Sequence, residues 1–260
     1  MIDLSFTLSD LELFLLVLVR VTCFLFVAPF YSTTGVPARV KVVLGIFVAY
    51  LIYSILPPQT LVSYESPLEY GIVVLKEAVV GLLVGLGAYI CVTITGFAGR
   101  MIDTEIGLSM ASIMDNTTRE SSSLTGVFLN YLILLILIIS GMYQYILKAL
   151  AETYQLIPVN GANFSTSGIL NAFISFMGDF FSIGFRICLP VMASIMILNG
   201  VLGVLARVAP QLNMFVVGLQ LKILAGLGIF FVTIGVLPYA SDFIYKEMKI
   251  MIVSLVEAMI

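Results

Sequence analysis

Enzymatic chemistry requires a nucleophile beside a base, a cluster of metal ligands or a cradle for phosphate, and the reactive side chains of this sequence are spaced for none of them. Histidine is absent, which removes the commonest general base, the commonest metal ligand and the switch that titrates near neutral pH. Ser121, Ser122 and Ser123 form a hydroxyl cluster with no histidine and no nearby lysine in sequence to activate it. Lys76 and Glu77 are adjacent, so on a helix they point about 100° apart. Asp103 and Glu105 are separated on a helix for the same reason. The three cysteines, Cys23, Cys91 and Cys188, stand singly inside apolar runs and make no C-x-x-C pair, the pattern of small buried hydrophobes rather than of zinc or redox sites. The motifs Gly-x-x-x-x-Gly-Lys, His-Glu-x-x-His and Gly-x-Ser-x-Gly are missing. The expectation is a chain with no catalytic residue, no cofactor and no metal ion.

Charge placed inside apolar sequence carries more information. Arg20, Asp179 and Arg186 interrupt long hydrophobic runs, and each would cost about 2.5–3.5 kcal/mol at the middle of a bilayer. Asp179 and Arg186 are seven residues apart, roughly two helical turns and therefore nearly one face. They are expected as buried charges that meet protein or water rather than lipid. A second polar knot, Leu205–Lys222, separates two apolar runs and concentrates Arg207, Pro210, Gln211 and Asn213. Proline lacks an N–H and disfavours helix at the residue before it, so Ala209–Pro210 reads as the corner of a helical hairpin. Its amides and guanidinium would either cap the helix ends or meet a partner.

The elements that position these residues are greasy. The chain is 61% hydrophobic and 10% charged, with a mean hydropathy of +1.15, against about 45–50% and 25% for soluble domains. Several runs reach the ~20 residues that cross a bilayer: Leu11–Phe30, Tyr70–Gly99, Leu124–Leu147 and Met214–Leu237, with a shorter one at Val42–Leu56 and a charged, Pro190-interrupted one from Gly168 to Ala206. Lys148–Ser167 reads as a loop, and Asp242–Ile260 as an amphipathic or re-entering helix. The fold expected is all-α: a polytopic helical membrane protein of about six long, partly broken helices plus an amphipathic C-terminal helix. Arg39 and Lys41 place the first loop inside the cell by the positive-inside rule and the N-terminus outside; they read as topological anchors. The acidic start, with no A-x-A site after it, predicts that the first apolar run is retained. A net charge of −3 without a basic tract offers nucleic acid nothing.

Two further stretches stand out. Gly81 and Gly85 lie in a glycine-dense run, where a small-xxx-small face lets helix backbones approach closely in lipid; a merely flexible helix is the other reading. Arg100–Ser123 is the longest polar stretch, yet bulky apolar residues, among them Leu108, Met110, Ile113 and Met114, are interleaved through it. It reads either as a segment that packs into something or as an amphipathic connector. Methionine, flexible and polarizable, suits a seal that must reshape.

The segment Ala206-Arg-Val-Ala-Pro-Gln-Leu-Asn-Met-Phe-Val-Val-Gly218, together with Val27-Ala-Pro-Phe30, Val36-Pro-Ala-Arg-Val-Lys41 and Gly107-Leu-Ser-Met110 followed by Asp115, closely resembles the FliR family of type III secretion export-gate subunits, flagellar and virulence-associated. The resemblance runs in order through most of the chain, and the wording of the hairpin corner leans to the flagellar branch. It implies a structural and gating subunit of the bacterial inner membrane, in the flagellar basal body. With FliP-like and FliQ-like subunits and an FlhB-like contact, it would form a channel for unfolded polypeptides. It implies further that residues 1–167 are a FliP-like part, with a channel plug within about 100–123, and residues 168–260 a FliQ-like hairpin and C-terminal helix. Gly107, Leu108, Met110, Ile113, Met114 and Asp115 are then the plug candidates, and Arg207, Pro210, Gln211 and Asn213 the entrance hairpin. Two departures limit the carry-over: Ser140-Gly-Met-Tyr-Gln144 stands where relatives carry histidines, and Asp115-Asn116 replaces the family's Asp-Pro. The alternatives are a virulence-associated export-gate subunit and a small-solute secondary transporter, the latter disfavoured by the dissimilarity of the two halves.

Overall fold

The computed structural model describes residues 8–33, 35–56, 66–111, 113–114, 121–209, 211 and 214–260. The architecture is all-α: α1 (Leu8–Val27), α2 (Ala38–Ile55), α3 (Pro67–Ile106), α4 (Leu124–Ile139), α5 (Met142–Leu156), α6 (Thr166–Val208), α7 (Met214–Thr233) and α8 (Leu237–Glu257). Short 3-10 turns follow α3 and α7, and a pair of two-residue strands, β1 (Ile113–Met114) and β2 (Ser121–Ser122), lies between α3 and α4. Among the described residues, four stretches are long and apolar enough to cross a membrane, Ala38–Ile55, Pro67–Ile106, Thr166–Val208 and Val216–Glu257; α4 and α5 make a fifth if counted as one broken span.

Several expected boundaries move. The polar residues Arg100–Ile106 continue α3 to 40 residues instead of opening a loop. The run Leu124–Leu147 is not one helix: Gly141 adopts a left-handed φ of +76° between α4 and α5, a conformation costly for any residue with a Cβ. Residues 148–156, read as loop, are the second half of α5. Pro190 sits inside an unbroken α6, and the C-terminal helix starts at Leu237 rather than Asp242.

The chain divides into two compact units. Unit 1 joins residues 1–91, 141–176 and 247–260; unit 2 joins 92–140 and 177–246. In unit 1, α1 buries Leu16, Val17, Val21, Phe24 and Leu25, a stripe at the three-to-four spacing of one helical face. Against it α3 turns Gly81 and Gly85. A Cβ at Gly81 would collide with the backbone carbonyl of Arg20, and one at Gly85 would come within 2.9 Å of the Phe24 carbonyl oxygen. Residues 163–165 are tied down by backbone bonds from Asn163 to Met259 (2.9 Å) and from Ser165 to Ala258 (3.0 Å). In the loop after α1, the Tyr31 hydroxyl donates to the Tyr143 carbonyl at 3.3 Å, and burial, then the neighbouring Tyr143, pushes its phenol up to about 12. In unit 2, Phe97 of α3 packs edge-on against Phe181 and Phe185 of α6 at centroid distances of 5.5 and 5.7 Å, and Gly99 and Gly126 bring α3 and α4 into backbone contact.

Burial is uneven. Of the most apolar stretch of α3, 56% is buried within the chain, but only 17% for α2, 22% for α6 and 17% for 216–257. α3 is covered by its neighbours to a larger extent than α2, α6 or 216–257, which keep most of their apolar side chains uncovered on this chain.

Candidate functional site: a clamped loop and a buried ion pair

The loop between α3 and α4 is held by a single carboxylate. Asp103, on the last turns of α3 and 4% exposed, accepts from the Ser123 hydroxyl (2.6 Å), the Thr125 backbone N–H (3.3 Å) and the Thr125 hydroxyl. Ser123 also caps α4 by accepting from Gly126 N–H at 2.9 Å, which satisfies an orphan donor of the first turn. One residue before the loop therefore grips two residues after it. A buried carboxylate is costly unless hydrogen-bonded, and these three donors are what make the position tenable.

The entry to the loop is equally specified. Gly107, with φ +91°, ends α3 in the left-handed conformation that glycine supplies at helix C-termini, and its N–H bonds Asp103 O at 3.0 Å. Leu108–Ala111 then make one 3-10 turn. Strands β1 and β2 pair antiparallel, Ile113 with Ser122 and Met114 with Ser121, closing the stem of a hairpin. On α7, Leu219 would lie 3.5 Å from a Cβ at Gly107, and Gly226 leaves no room for one against Ile106, so the C-terminal end of α3 rests on α7. Of the plug candidates, Gly107, Leu108 and Met110 thus lie in the entry turn and Ile113 and Met114 in β1, whereas Asp115 falls outside the described residues.

The other expected sites fall as follows. Arg207 is exposed in the last turn of α6, where a cation meets the negative end of the helix dipole. Gln211 is an exposed turn residue; Pro210 and Asn213 lie outside the described residues. Asp179 and Arg186, expected as buried charges, are both exposed on the chain itself. The ion pairs Arg20–Glu77 and Lys148–Glu152 involve neither of them. Arg186 nevertheless lies near α8, its guanidinium 5.5 Å from the Phe243 ring centroid.

Besides Asp103, the buried charges among the described residues are Arg20 and Glu77, both fully enclosed in unit 1 and 2.6 Å apart. Arg20 Nη1 donates to the Ile157 carbonyl (3.1 Å) and Thr153 (3.4 Å), and the guanidinium lies 4.2 Å from the centroid of the Tyr154 ring. Glu77 also accepts from Asn160 N–H at 3.0 Å. Asn160 holds φ +67° in a turn closed from Pro158 to Gly161, the position where a type II turn needs φ > 0. The node thus joins α1, α3, α5 and the turn after α5, leaving only Nη2 of Arg20 without a partner. Sequence reasoning passed over Glu77 because it looked for a partner next door. A signal was present: Arg20 lies four residues from both Leu16 and Phe24, on the buried stripe of its helix.

Among the described residues no three His, Cys, Asp or Glu side chains gather as a metal site. What the geometry offers is mechanical: a loop clamped at both ends in one unit and a charge-locked helix cluster in the other.

Comparison with known proteins bears on what such a chain serves. Residues 11–248 match the family described as bacterial export proteins, family 1. The chain is similar to the flagellar biosynthetic protein FliR of Bacillus subtilis (strain 168), with 34% identity over 81% of each chain. It is also similar to that of Aquifex aeolicus (strain VF5), with 30% identity over 80% of each. The FliR of Escherichia coli (strain K12) is 24% identical over 92% of this chain and 91% of its own. With the match extending across nearly all its helices, the chain belongs to the bacterial export proteins, family 1.

Proposed function

We propose that this chain is a structural and gating subunit of the flagellar type III protein export gate in the bacterial inner membrane. In this reading FliP-like and FliQ-like subunits pack on its outward apolar helices, an FlhB-like subunit meets it, and unfolded polypeptides pass through the shared channel. Residues 1–167 act as the FliP-like part and 168–260 as the FliQ-like part. The α3–α4 loop closes the lumen, the corner at Arg207–Asn213 faces the entrance, and Asp179 meets a neighbouring subunit. The observation that carries this reading is the clamp at Asp103. A seal needs a fixed base, and both stems of the loop are held to one carboxylate, with 3-10 and strand geometry leading to the tip. The outward apolar surfaces of α2, α6 and α7–α8 support partner helices, because lipid alone gives helices no hydrophobic reason to associate. The flagellar names of the relatives favour that branch.

The test is affinity purification of the chain in mild detergent with mass spectrometry of what accompanies it. Different membrane subunits in fixed ratio are expected; a self-sufficient monomer that carries a small solute in liposomes would refute the reading. Deleting residues 107–115 in the assembled complex should make the membrane leak small solutes, and unchanged permeability would remove the plug assignment.

A further inference from the structure

Within unit 2 an apolar cleft of about 120 Å³ opens between α6, α7 and α8, walled by Ile183, Pro190, Phe230, Leu237 and Phe243. Such a lining offers water almost no hydrogen-bonding partner and gives a hydrocarbon guest apolar surface to bury. One charge lines it, Arg186. The guanidinium sits 5.5 Å from the Phe243 ring centroid and has no hydrogen-bond or carboxylate partner among the described residues. Pro190 lacks an N–H, so the backbone carbonyl of Arg186 is deprived of its usual helical donor. The cleft therefore combines a greasy interior with an unneutralised cation at its edge. Tyr239, 70% exposed, lies on the rim, and α8 turns polar beyond it with Asp242, Lys246, Glu247 and Lys249, the transition that marks headgroup level in a membrane protein.

We propose that this cleft is a phospholipid site: an anionic glycerophospholipid places an acyl segment along Ile183, Phe230 and Leu237 and its phosphate on Arg186. Charge complementarity selects the anion, since an arginine beside apolar walls binds phosphate in a fork of charge-assisted bonds. Shape selects the lipid over a partner's side chain. An aspartate or glutamate carries its carboxylate on a one- or two-carbon stem, so a single residue cannot both reach Arg186 and fill the cavity behind it. An amphiphile does both with one molecule.

The probes are dioctanoyl phosphatidylglycerol, dioctanoyl phosphatidylcholine and inorganic phosphate, added to the delipidated full chain in dodecyl maltoside. Native mass spectrometry counts bound molecules across a titration. One phosphatidylglycerol is expected to bind tightly, phosphatidylcholine more weakly and inorganic phosphate not measurably. Arg186→Gln should weaken phosphatidylglycerol by at least about tenfold, the loss of one charged hydrogen-bonding partner. Ala240→Phe, which fills the cleft from its lining, should abolish binding. Lys148→Gln, an exposed cation in the other unit, should change nothing. Equal binding of the two lipids by the wild-type chain overturns the proposal even if the variants fail to fold. So does phosphatidylglycerol binding that survives both substitutions, or inorganic phosphate that binds as well as the lipid. In the chain purified with its neighbouring subunits, a carbodiimide crosslink from Arg186→Lys to another protein's carboxylate, with no phospholipid retained, overturns it in favour of a protein partner.

Discussion

Glu77→Gln turns the centre of unit 1 from an ion pair into a lone enclosed cation with almost no change of shape. One amide oxygen cannot serve both Asn160 N–H, which Glu77 Oε1 binds at 3.0 Å, and Arg20 Nε, which Oε2 binds at 2.6 Å, so the charge and one acceptor are lost together. Removing one partner of a buried pair costs about 3–5 kcal/mol. The Tyr154 ring remains 4.2 Å from the guanidinium and puts the expected loss near the lower end, about 3 kcal/mol. Arg20→Met strands the carboxylate and takes away the donors to Ile157 and Thr153, again about 3–5 kcal/mol. The double variant carries neither charge. Its main deficit is the Ile157 carbonyl, bonded at 3.1 Å by Arg20 in the intact chain, a loss of about 1–3 kcal/mol. The double variant should therefore be more stable than either single one, with a coupling of at least about 2 kcal/mol. Cys91, fully buried in unit 1, provides the readout: in a Cys23→Ala, Cys188→Ala background its labelling by a thiol-reactive fluorophore is followed through a dodecyl sulfate titration. Additive losses, or a double variant worse than both singles, would refute the assignment of the pair as one electrostatic unit.

Two other expectations use the same titration or its relatives. Gly81→Ala drives a methyl group into the Arg20 carbonyl and should cost about 1–3 kcal/mol from overpacking, whereas Gly96→Ala, whose Cβ meets nothing within 4 Å, should be neutral or stabilising by up to about 1 kcal/mol through helix propensity. Asp103→Ala frees Ser123 and Thr125 and should speed proteolysis within 108–122 at unchanged overall helicity; protection equal to that of the unaltered chain would show that the carboxylate does not hold the stem.

The apolar runs and the break between α6 and α7 were legible in the sequence because each is a local property: composition, or a proline after an apolar run. What escaped was settled by residues far away in sequence. Arg100–Ile106 looks like loop by its charges, yet Asp103 is satisfied by Ser123 and Thr125, and with its most demanding polar group answered α3 can run on. Glu77 is bonded to a residue 57 positions distant, beyond any helical spacing rule. The break at Gly141 hides in an uninterrupted hydrophobic stretch, since hydropathy is blind to the sign of φ. Asp179 and Arg186 stand out in the sequence as charges in an apolar run, but a sequence does not say whether such a charge is met by the chain's own helices or by a neighbour; on this chain both are exposed.

The interleaving of unit 1 has a consequence for biosynthesis. Its three pieces are separated by the whole of unit 2, and the last piece supplies the carbonyls of Ala258 and Met259 that fasten residues 163–165. A ribosome delivers these pieces in order, so the helices made first must wait, incompletely closed, until some ninety residues later the final strip of chain arrives. Arg20 and Glu77 both belong to the first of these pieces, so their pairing is available to hold α1 against α3 while translation finishes.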